Sequence, residues 1–195
     1  MLLHGSQLIG TPVMGLQTGT ELAKTKTPII DPANLKILAY EVEGPMLVET
    51  PSYIRIADVR ELSNIGMIID SNDEFVGAED VITLKKIIDL NFNLIGLNVI
   101  DEAKHKLGKV DGYNIDSESF VIQQIVVKQG VIKSLSETEL LVHRSQIIEI
   151  NDHEIIIKAG AKKLAPIAKP SQLDYINPFK SPSPQPEGVE AVKTN

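Results

Sequence analysis

The sequence contains no cysteine, few aromatic residues and few arginines. Its 195 residues include no Trp, aromatic residues make up 4%, and there are only three Arg, at positions 55, 60 and 144. Without cysteine, the chain can form no disulfide framework, no cysteine-ligated zinc or iron–sulfur site and no thiol nucleophile. The scarcity of arginine also disfavours bidentate contacts to phosphates or bases.

Long apolar runs are absent as well. The N-terminus, residues 1–5, has neither a basic region nor a long apolar segment, so no signal peptide is predicted. No stretch reaches the roughly 18 consecutive apolar residues of a membrane-spanning helix, so no transmembrane segment is predicted. We therefore expect a cytoplasmic protein.

The charge is acidic and unevenly distributed. The net charge is −7, but residues 161–195 carry five Lys and three acidic residues, so that residues 1–160 carry a net −9. An acidic domain binds a phosphate backbone poorly, because affinity for phosphates depends on Lys and Arg. Direct nucleic-acid binding is therefore disfavoured, while a contact with structured RNA through a protein partner stays open.

The apolar residues that are present are mainly aliphatic. Hydrophobic residues make up 43% of the chain, and Ile alone accounts for 26 residues. This is enough to build a core, which excludes wholesale disorder. The β-branched bias favours strands over helices.

The chain contains an internal repeat. Leu8-Ile9-Gly10 recurs as Leu94-Ile95-Gly96, an offset of 86 that becomes 85 and then 88 further along. At these offsets Val13 matches Val99, Asp31 matches Asp116, Leu35 matches Phe120, and residues 67–69 match 155–157. The pattern indicates a duplicated β unit of roughly 70–85 residues.

Each copy shows the pattern of short strands separated by turns. Asp31-Pro32 and Asp116-Ser117 predict tight turns, and strands are predicted at 35–43 and 120–128. Residues 155–157 are three Ile in a row, which predicts a strand covered on both faces. Short antiparallel strands in so small a unit favour a closed or nearly closed barrel.

A short helix is predicted between the copies. Val81, Leu84 and Ile88 recur at helical spacing, and Asp80 is a candidate N-cap. We expect this helix to pack on a barrel and to fix the two copies relative to each other; an extended linker is the alternative. The predicted organisation is domain 1 at 1–78, a linker with the short helix at 79–93, domain 2 at 94–163, and a Pro-rich tail at 164–195.

The tail differs from the rest of the chain in composition. Six of the 11 Pro lie in residues 166–195, which predicts an extended or disordered segment. It nevertheless carries four large apolar residues: Leu173, Tyr175, Ile176 and Phe179. We expect these residues to dock into a partner or to fold back on the chain's own barrel. The alternative is the end of a barrel strand followed by a spacer.

No pattern of catalytic or ligand-binding residues is found. His4, His105, His143 and His153 lack metal-ligand spacing, and no nucleophile elbow or phosphate loop occurs. Asp31 and Asp116 are interpreted as turn formers rather than as a catalytic pair. We predict no catalytic, cofactor-binding or metal-binding residue. The glycines are interpreted as sites of positive φ or close approach: Gly10, Gly44, Gly96, Gly108 and Gly130.

Residues 107–116, followed by the β-rich stretch 120–127, resemble the PRC-barrel domain. That family is named for the photosynthetic reaction-centre H subunit, and it also forms the C-terminal half of a bacterial ribosome maturation factor. Residues 10–13 and 29–32 give copy one a similar resemblance, so the likeness spans about residues 7–160. Copy one departs at Ala23, where copy two has Gly108, and at 26–28.

The resemblance implies two tandem small PRC-type β-barrels. Together with the helix and the Pro-rich tail predicted above, this gives an expected all-β fold with a short connecting helix and a disordered C-terminal tail. It implies docking onto larger assemblies, so we expect a non-enzymatic intracellular protein-interaction or adaptor module with a protein partner. The alternative is a ribosome maturation or RNA-processing accessory factor that acts through a ribosomal protein. A membrane-peripheral role and an enzyme of another type are further alternatives.

Overall fold

A computed structural model describes residues 1–129 and 139–158 of the chain, which form fourteen strands and one α-helix arranged around two sheets. The N-terminal strand is β1 (Leu2–His4). The first sheet contains β2 (Pro12–Gly15), β3 (Thr20–Asp31), β4 (Lys36–Glu43), β5 (Ser52–Arg55), β6 (Glu61–Ser63), β7 (Gly66–Ile69) and β8 (Phe75–Gly77). The helix is α1 (Ile82–Asp89). The second sheet contains β1 together with β9 (Asn98–Asp101), β10 (Lys106–Asp116), β11 (Ile122–Lys128), β12 (Glu139–His143), β13 (Ile147–Ile150) and β14 (Glu154–Ile157).

The two sheets repeat one strand order, as the internal repeat predicts. The first runs β6-β7-β2-β3-β4-β5-β8, and the main path of the second runs β13-β14-β9-β10-β11-β12. Strands that occupy the same position in the two orders are equivalent in the internal repeat, as β3 and β10 are. The expected all-β character is confirmed. The division into two domains at the predicted boundaries stays a prediction.

The strand pairing corrects the expectation of a closed antiparallel barrel. In both sheets one pair is parallel: β2 with β7, where Val13 lies opposite Met67, and β9 with β14, where Val99 lies opposite Ile155. Within the described residues, no ladder joins the two outermost strands of either sheet, so neither sheet closes. The first sheet ends in strands of only three residues, β6 and β8, which offer few backbone groups for a closing ladder.

The core is aliphatic and continuous between the two sheets. Fully buried side chains of the first sheet, such as Ile37 and Ile54, belong to the same cluster as Ile122 and Ile155 of the second. The strand β14 differs from the prediction that both of its faces are covered. Ile155 and Ile157 are buried but the intervening Ile156 is half-buried. This alternation is the pattern of a strand with one face on the core.

The two halves meet through a reciprocal contact between their central hairpins. The Ile37 N–H donates to the Phe120 carbonyl (3.0 Å), and the Ile122 N–H donates to the Leu35 carbonyl (2.7 Å). Leu35 and Phe120 are equivalent in the repeat, as are Ile37 and Ile122, so the contact has pseudo-two-fold symmetry. Both carbonyl-bearing residues adopt a positive φ, 48° at Leu35 and 54° at Phe120.

The segment that precedes each copy packs on the sheet of the other copy. Strand β1 precedes copy one and pairs with β10 of the second sheet, with Leu3 opposite Ile115. Helix α1 precedes copy two and packs on the first sheet, where β3 is equivalent to β10. One segment is a strand and the other a helix, so the symmetry of the halves ends here.

Helix α1 confirms the prediction of a short helix between the copies. Leu84 is buried against Ala39 and Tyr53, and Val81 and Ile88 pack around it, so the predicted stripe faces the first sheet. The predicted N-cap is wrong: no side chain caps the helix, and the Asp80 carboxylate accepts a hydrogen bond from the Gly77 N–H at 2.7 Å. Asp80 therefore closes the turn after β8 instead. No helix of the described residues is long and apolar enough to cross a membrane.

The positive φ at Leu35 predicts an inverted order of stability for two substitutions. Leu35→Ala and Leu35→Gly both lose a buried side chain, at about 2–5 kcal/mol. Glycine avoids the roughly 1–2 kcal/mol that an L residue loses in the left-handed region. We therefore expect the glycine variant to be at least as stable as the alanine variant in urea unfolding. At Ile37, where φ is not positive, the same pair should show the usual order, with glycine less stable by about 1 kcal/mol. The same order at both positions would contradict the strain at Leu35.

Tyr40 predicts a stabilising substitution. The side chain is fully buried, and its hydroxyl has no hydrogen-bond partner within the described residues. Burial also raises the pKa of this phenol, so the hydroxyl stays protonated. An unsatisfied buried hydroxyl costs about 1–3 kcal/mol, so we expect Tyr40→Phe to raise the urea midpoint, whereas Tyr40→Ala should lower it by leaving a cavity. A lower midpoint for Tyr40→Phe would show that the hydroxyl has a partner, such as a buried water molecule.

Candidate functional site: a cleft between the two halves

A cleft of about 460 Å³ lies where the two halves meet. Its walls come from β3, β10, the segment 4–9 after β1, the end of α1, and the loop 91–95. This volume lies within the range of ligand-binding clefts in proteins. Because its walls are separated by about one repeat length in the sequence, the cleft exists only when the two copies are assembled.

Equivalent residues of the two copies line the cleft together. This follows from the pseudo-two-fold contact between the hairpins, which brings the same parts of each copy face to face. Three such pairs are Ser6 with Phe92, Ile9 with Ile95, and Pro28 with Tyr113. The isoleucine pair is identical, whereas the other two pairs differ in size and chemistry.

The repeated Leu-Ile-Gly triplet holds one isoleucine of each copy in the cleft. The leucines, Leu8 and Leu94, are buried in the core. The isoleucines, Ile9 and Ile95, line the cleft and remain 46% and 44% exposed. The glycines that follow, Gly10 and Gly96, have φ values of 74° and 90°, and each donates a 2.8 Å hydrogen bond, to Thr25 and Val110 respectively. The triplet thus places an exposed isoleucine at the same point of both halves.

Two β-bulges shape the side of the cleft formed by the sheets. The register between β3 and β4 shifts between Thr25 and Pro28, and that between β10 and β11 shifts between Val110 and Gly112. These are equivalent positions, and a bulge bends a strand and increases its local twist. The bulge also accommodates Pro28, which cannot donate to the ladder. Sequence analysis singled out 26–28 as a departure of copy one, and both copies are in fact bulged there.

Close packing holds the segment after β1 against β10. A Cβ added to Gly5 would lie 2.2 Å from the Tyr113 ring, and one added to Gly112 would lie 2.6 Å from the His4 ring. Tyr113 is almost fully buried at the base of the cleft, and burial raises its pKa to about 12. The phenol is therefore neutral at physiological pH, and Tyr113 adds no charge to the cleft.

The chemistry of the cleft is apolar with a polar rim. Ile29, Ile30, Ile87 and Ile88 add to the aliphatic surface. Ser6, Thr27, Asn91 and Asn93 are exposed hydroxyl and amide side chains of the lining. Among the described residues, Asp111 is the only charged residue of fixed sign in the lining, and no Lys or Arg lines the cleft. Such a surface suits a ligand with bulky apolar groups, backbone-like polar groups and no negative charge.

The residues predicted to anchor a partner lie outside the described residues. Leu173, Tyr175, Ile176 and Phe179 all fall within 159–195, so their docking stays a prediction. The glycine interpretation is confirmed at Gly10, Gly96 and Gly108, which have positive φ, and at Gly44, where a Cβ would lie 2.8 Å from the Ala23 backbone; Gly130 is not described.

The two aspartates act as turn formers, as predicted. The Asp31 carboxylate accepts hydrogen bonds from the Ala33 N–H at 2.9 Å and the Asn34 amide at 2.7 Å. The Asp116 carboxylate accepts from the Ser119 hydroxyl at 2.7 Å and from the Ser119 N–H at 3.2 Å. Each therefore closes the hairpin of its own copy, and the Asp116 carboxylate also accepts from the Met1 amino group at 3.2 Å.

Two histidines have a structural role that sequence analysis missed. His4 and His143 each precede a short 3-10 helix, and each ring accepts from the N–H of the serine two residues on, at 3.3 and 3.2 Å. In return, the glutamine three residues on accepts from the N–H of the histidine in both. The pattern His-x-Ser-Gln, at 4–7 and 143–146, was the available signal.

His105 also closes a turn. Its N–H donates to the Asp101 carboxylate at 2.8 Å, and its ring lies 2.9 Å from the other oxygen of that carboxylate. These hydrogen bonds lower the pKa of Asp101. Among residues 1–129 and 139–158, no three His, Asp or Glu are grouped so as to hold a metal ion.

No model of a known protein family matches the chain, and no curated protein matches it.

The hydrogen bonds at Asp116 predict a pH-dependent contribution to stability. The Ser119 hydroxyl, followed by the Met1 amino group and the Ser119 N–H, lowers the pKa of Asp116 to about 2. The ordinary value in an unfolded chain is about 3.9. Because the folded pKa is the lower one, the contribution is present above about pH 4 and is lost as the pH falls towards 2. We expect Ser119→Ala to lower the urea midpoint at pH 7 and to have less effect at pH 2.5.

Ser117→Ala is the matched control, because Ser117 lies in the same turn. It should leave the midpoint nearly unchanged at both pH values. An effect of Ser119→Ala that is equally large at pH 7 and pH 2.5 would show that the hydroxyl does not act through the Asp116 carboxylate.

Proposed function

We propose that the chain is a non-enzymatic, intracellular protein-interaction module, and that the cleft binds an apolar segment of a partner protein. The observation that carries this proposal is the pair Ile9 and Ile95. Each copy keeps a large apolar side chain at an exposed position, and both side chains line the same cleft. Exposed apolar surface in a concave site is typical of a binding surface, whereas the core of the fold does not require it.

The cleft chemistry indicates the kind of segment it would bind. The aliphatic walls favour two or more bulky apolar side chains, which contribute binding energy as they leave water. The exposed rim side chains Asn91, Asn93 and Thr27 can hydrogen-bond to the backbone of an extended segment. A basic or neutral partner is favoured over an acidic one by Asp111, by the lack of Lys and Arg among the described lining residues, and by the net charge of −9 over residues 1–160.

We also propose that each half is a diverged PRC-type unit. Support comes from the duplicated strand order and from the hairpins at Asp31 and Asp116, which carry the resembling residues. The open sheets are a departure from the barrel that the resemblance implies. The alternative role in ribosome maturation rests on that resemblance and stays a prediction.

Selection from a random peptide library displayed on phage tests the cleft. The targets are the full chain and a full-length variant with Leu173, Tyr175, Ile176 and Phe179 changed to Ser, so that the chain's own apolar segment does not compete. We expect enriched peptides to share two or more bulky apolar residues and at least one Lys or Arg. Burying two half-exposed isoleucines contributes about 2 kcal/mol, so Ile9→Glu with Ile95→Glu should weaken binding tenfold or more.

Ile65→Glu is the matched control, because Ile65 is 59% exposed and does not line the cleft. It should bind the enriched peptides like the parent chain in fluorescence polarisation. The proposal is wrong if no peptide is enriched on either target, or if the enriched peptides bind the double variant as tightly as the control.

A further inference from the structure

We propose that the cleft is occupied by the chain's own C-terminal segment, residues 173–179, which must be displaced before a partner binds. This inference rests on the proposed function for its regulatory meaning, but the docking itself is tested separately. Three properties of the molecule support it: the composition of the segment, the length of chain that leads to it, and the distribution of charge.

The composition of the segment matches the cleft. Residues 173–179 contain two aliphatic and two aromatic side chains within seven residues, in a C-terminal region otherwise rich in Pro, Ser and Lys. The apolar walls around Ile9, Ile95 and Phe92 can bury bulky side chains of this kind. Pro178 disfavours a helix at its own position and at Asn177, so we expect the segment to bind in an extended or turned conformation.

The chain before this segment is long enough to reach the cleft. The described part ends at Lys158, whose N–H donates to the Gln146 carbonyl beside β13 and β14. Fourteen residues, 159–172, lie between it and Leu173. Fully extended, they span at most about 46–50 Å. Strand β14, which ends just before Lys158, pairs with β9, and β9 begins three residues after the cleft loop 91–95, so the cleft lies within this reach.

The charges of the two parts are complementary. Residues 161–195 carry a net +2 and residues 1–160 a net −9. Asp174, the one charged residue of the segment, is balanced by Lys180 directly after it, while Asp111 lies in the lining of the cleft. Opposite net charge favours association of the two parts, and the contribution weakens as salt is added.

Tethering makes even a weak contact sufficient. Segments joined by a short linker meet at an effective concentration on the order of millimolar. A cleft–segment affinity of about 0.1 mM would therefore keep the cleft about 90% occupied. A partner would then bind roughly tenfold more weakly than it would to an empty cleft, since its apparent affinity scales with the competent fraction.

Disulfide trapping tests the docking directly, and the absence of native cysteine makes it clean. One full-length variant carries Asn93→Cys at the cleft with Asn177→Cys in the segment. The matched control carries Asn64→Cys, equally exposed but outside the cleft, with the same Asn177→Cys. At low protein concentration we expect a cross-link within one chain for the first pair only. Changing Leu173, Tyr175, Ile176 and Phe179 to Ser should abolish it.

The inference is overturned if both pairs cross-link equally, if neither does, or if the four serine changes have no effect. A cross-link between two chains would overturn it in another way, because a second copy would then supply the segment. Intact-mass measurement and gel mobility distinguish these outcomes.

Peptides enriched on the serine variant separate this inference from the proposed function. They should bind that variant about tenfold more tightly than the parent chain. If the cross-link forms but no peptide is ever enriched, the docking stands and the protein-binding function fails. If peptides bind the cleft of both chains equally and no cross-link forms, the function stands and the docking fails.

Discussion

Two backbone hydrogen bonds between the central hairpins join the halves of this protein, from Ile37 to Phe120 and from Ile122 to Leu35. Both accepting carbonyls belong to residues with positive φ, a conformation that costs an L residue about 1–2 kcal/mol. The side chains of Leu35 and Phe120 are buried in the shared core, which offsets that cost. The two donors are equivalent in the repeat, and so are the two acceptors. The contact is therefore self-complementary, like the interface of a symmetric dimer. The common core and the cleft both follow from this pairing.

The halves are also connected by the segments that precede each copy. Strand β1 extends the second sheet along β10, and helix α1 covers part of the first sheet around β3. Because β3 and β10 are equivalent strands, each half is covered at the same place by the segment that precedes the other copy. Both segments lead into a Leu-Ile-Gly triplet, and the triplets meet at the cleft. The connection between the copies and the cleft are therefore parts of one arrangement.

Much of the fold could be predicted because local pattern and repeat register agreed. The hairpins at Asp31 and Asp116, the strands that follow them and the helix around Leu84 were predicted close to their observed positions. Parallel pairing, as between Val13 and Met67, could not be predicted, since it joins strands more than fifty residues apart and leaves no local pattern. The open sheets were missed for the same reason, because closure depends on whether distant edge strands meet.

The site was harder to predict than the fold, and its parts show why. Ile9 and Ile95 were recognised as members of a repeat, but the sequence does not tell an exposed isoleucine from a core one. Pro28 and Tyr113 come from different copies, and only the pseudo-two-fold contact brings them to one cleft. The His-x-Ser-Gln pattern was visible, but a capping role for histidine competes with the more familiar roles of ligand and base. The tail segment was predicted as a binding element from composition alone.

Duplication within one chain has a consequence that a symmetric dimer would not have. Each copy can change independently, so the cleft keeps Ile9 and Ile95 as an identical pair while Ser6 differs from Phe92 and Pro28 from Tyr113. The identical pair lies at matching points of the two halves, and the aromatic members both belong to copy two. A cleft of this kind has two distinguishable ends, so a peptide bound there would have one preferred direction. The same asymmetry would give the chain's own tethered segment one preferred direction, whereas a strictly symmetric site would bind it equally well in either direction.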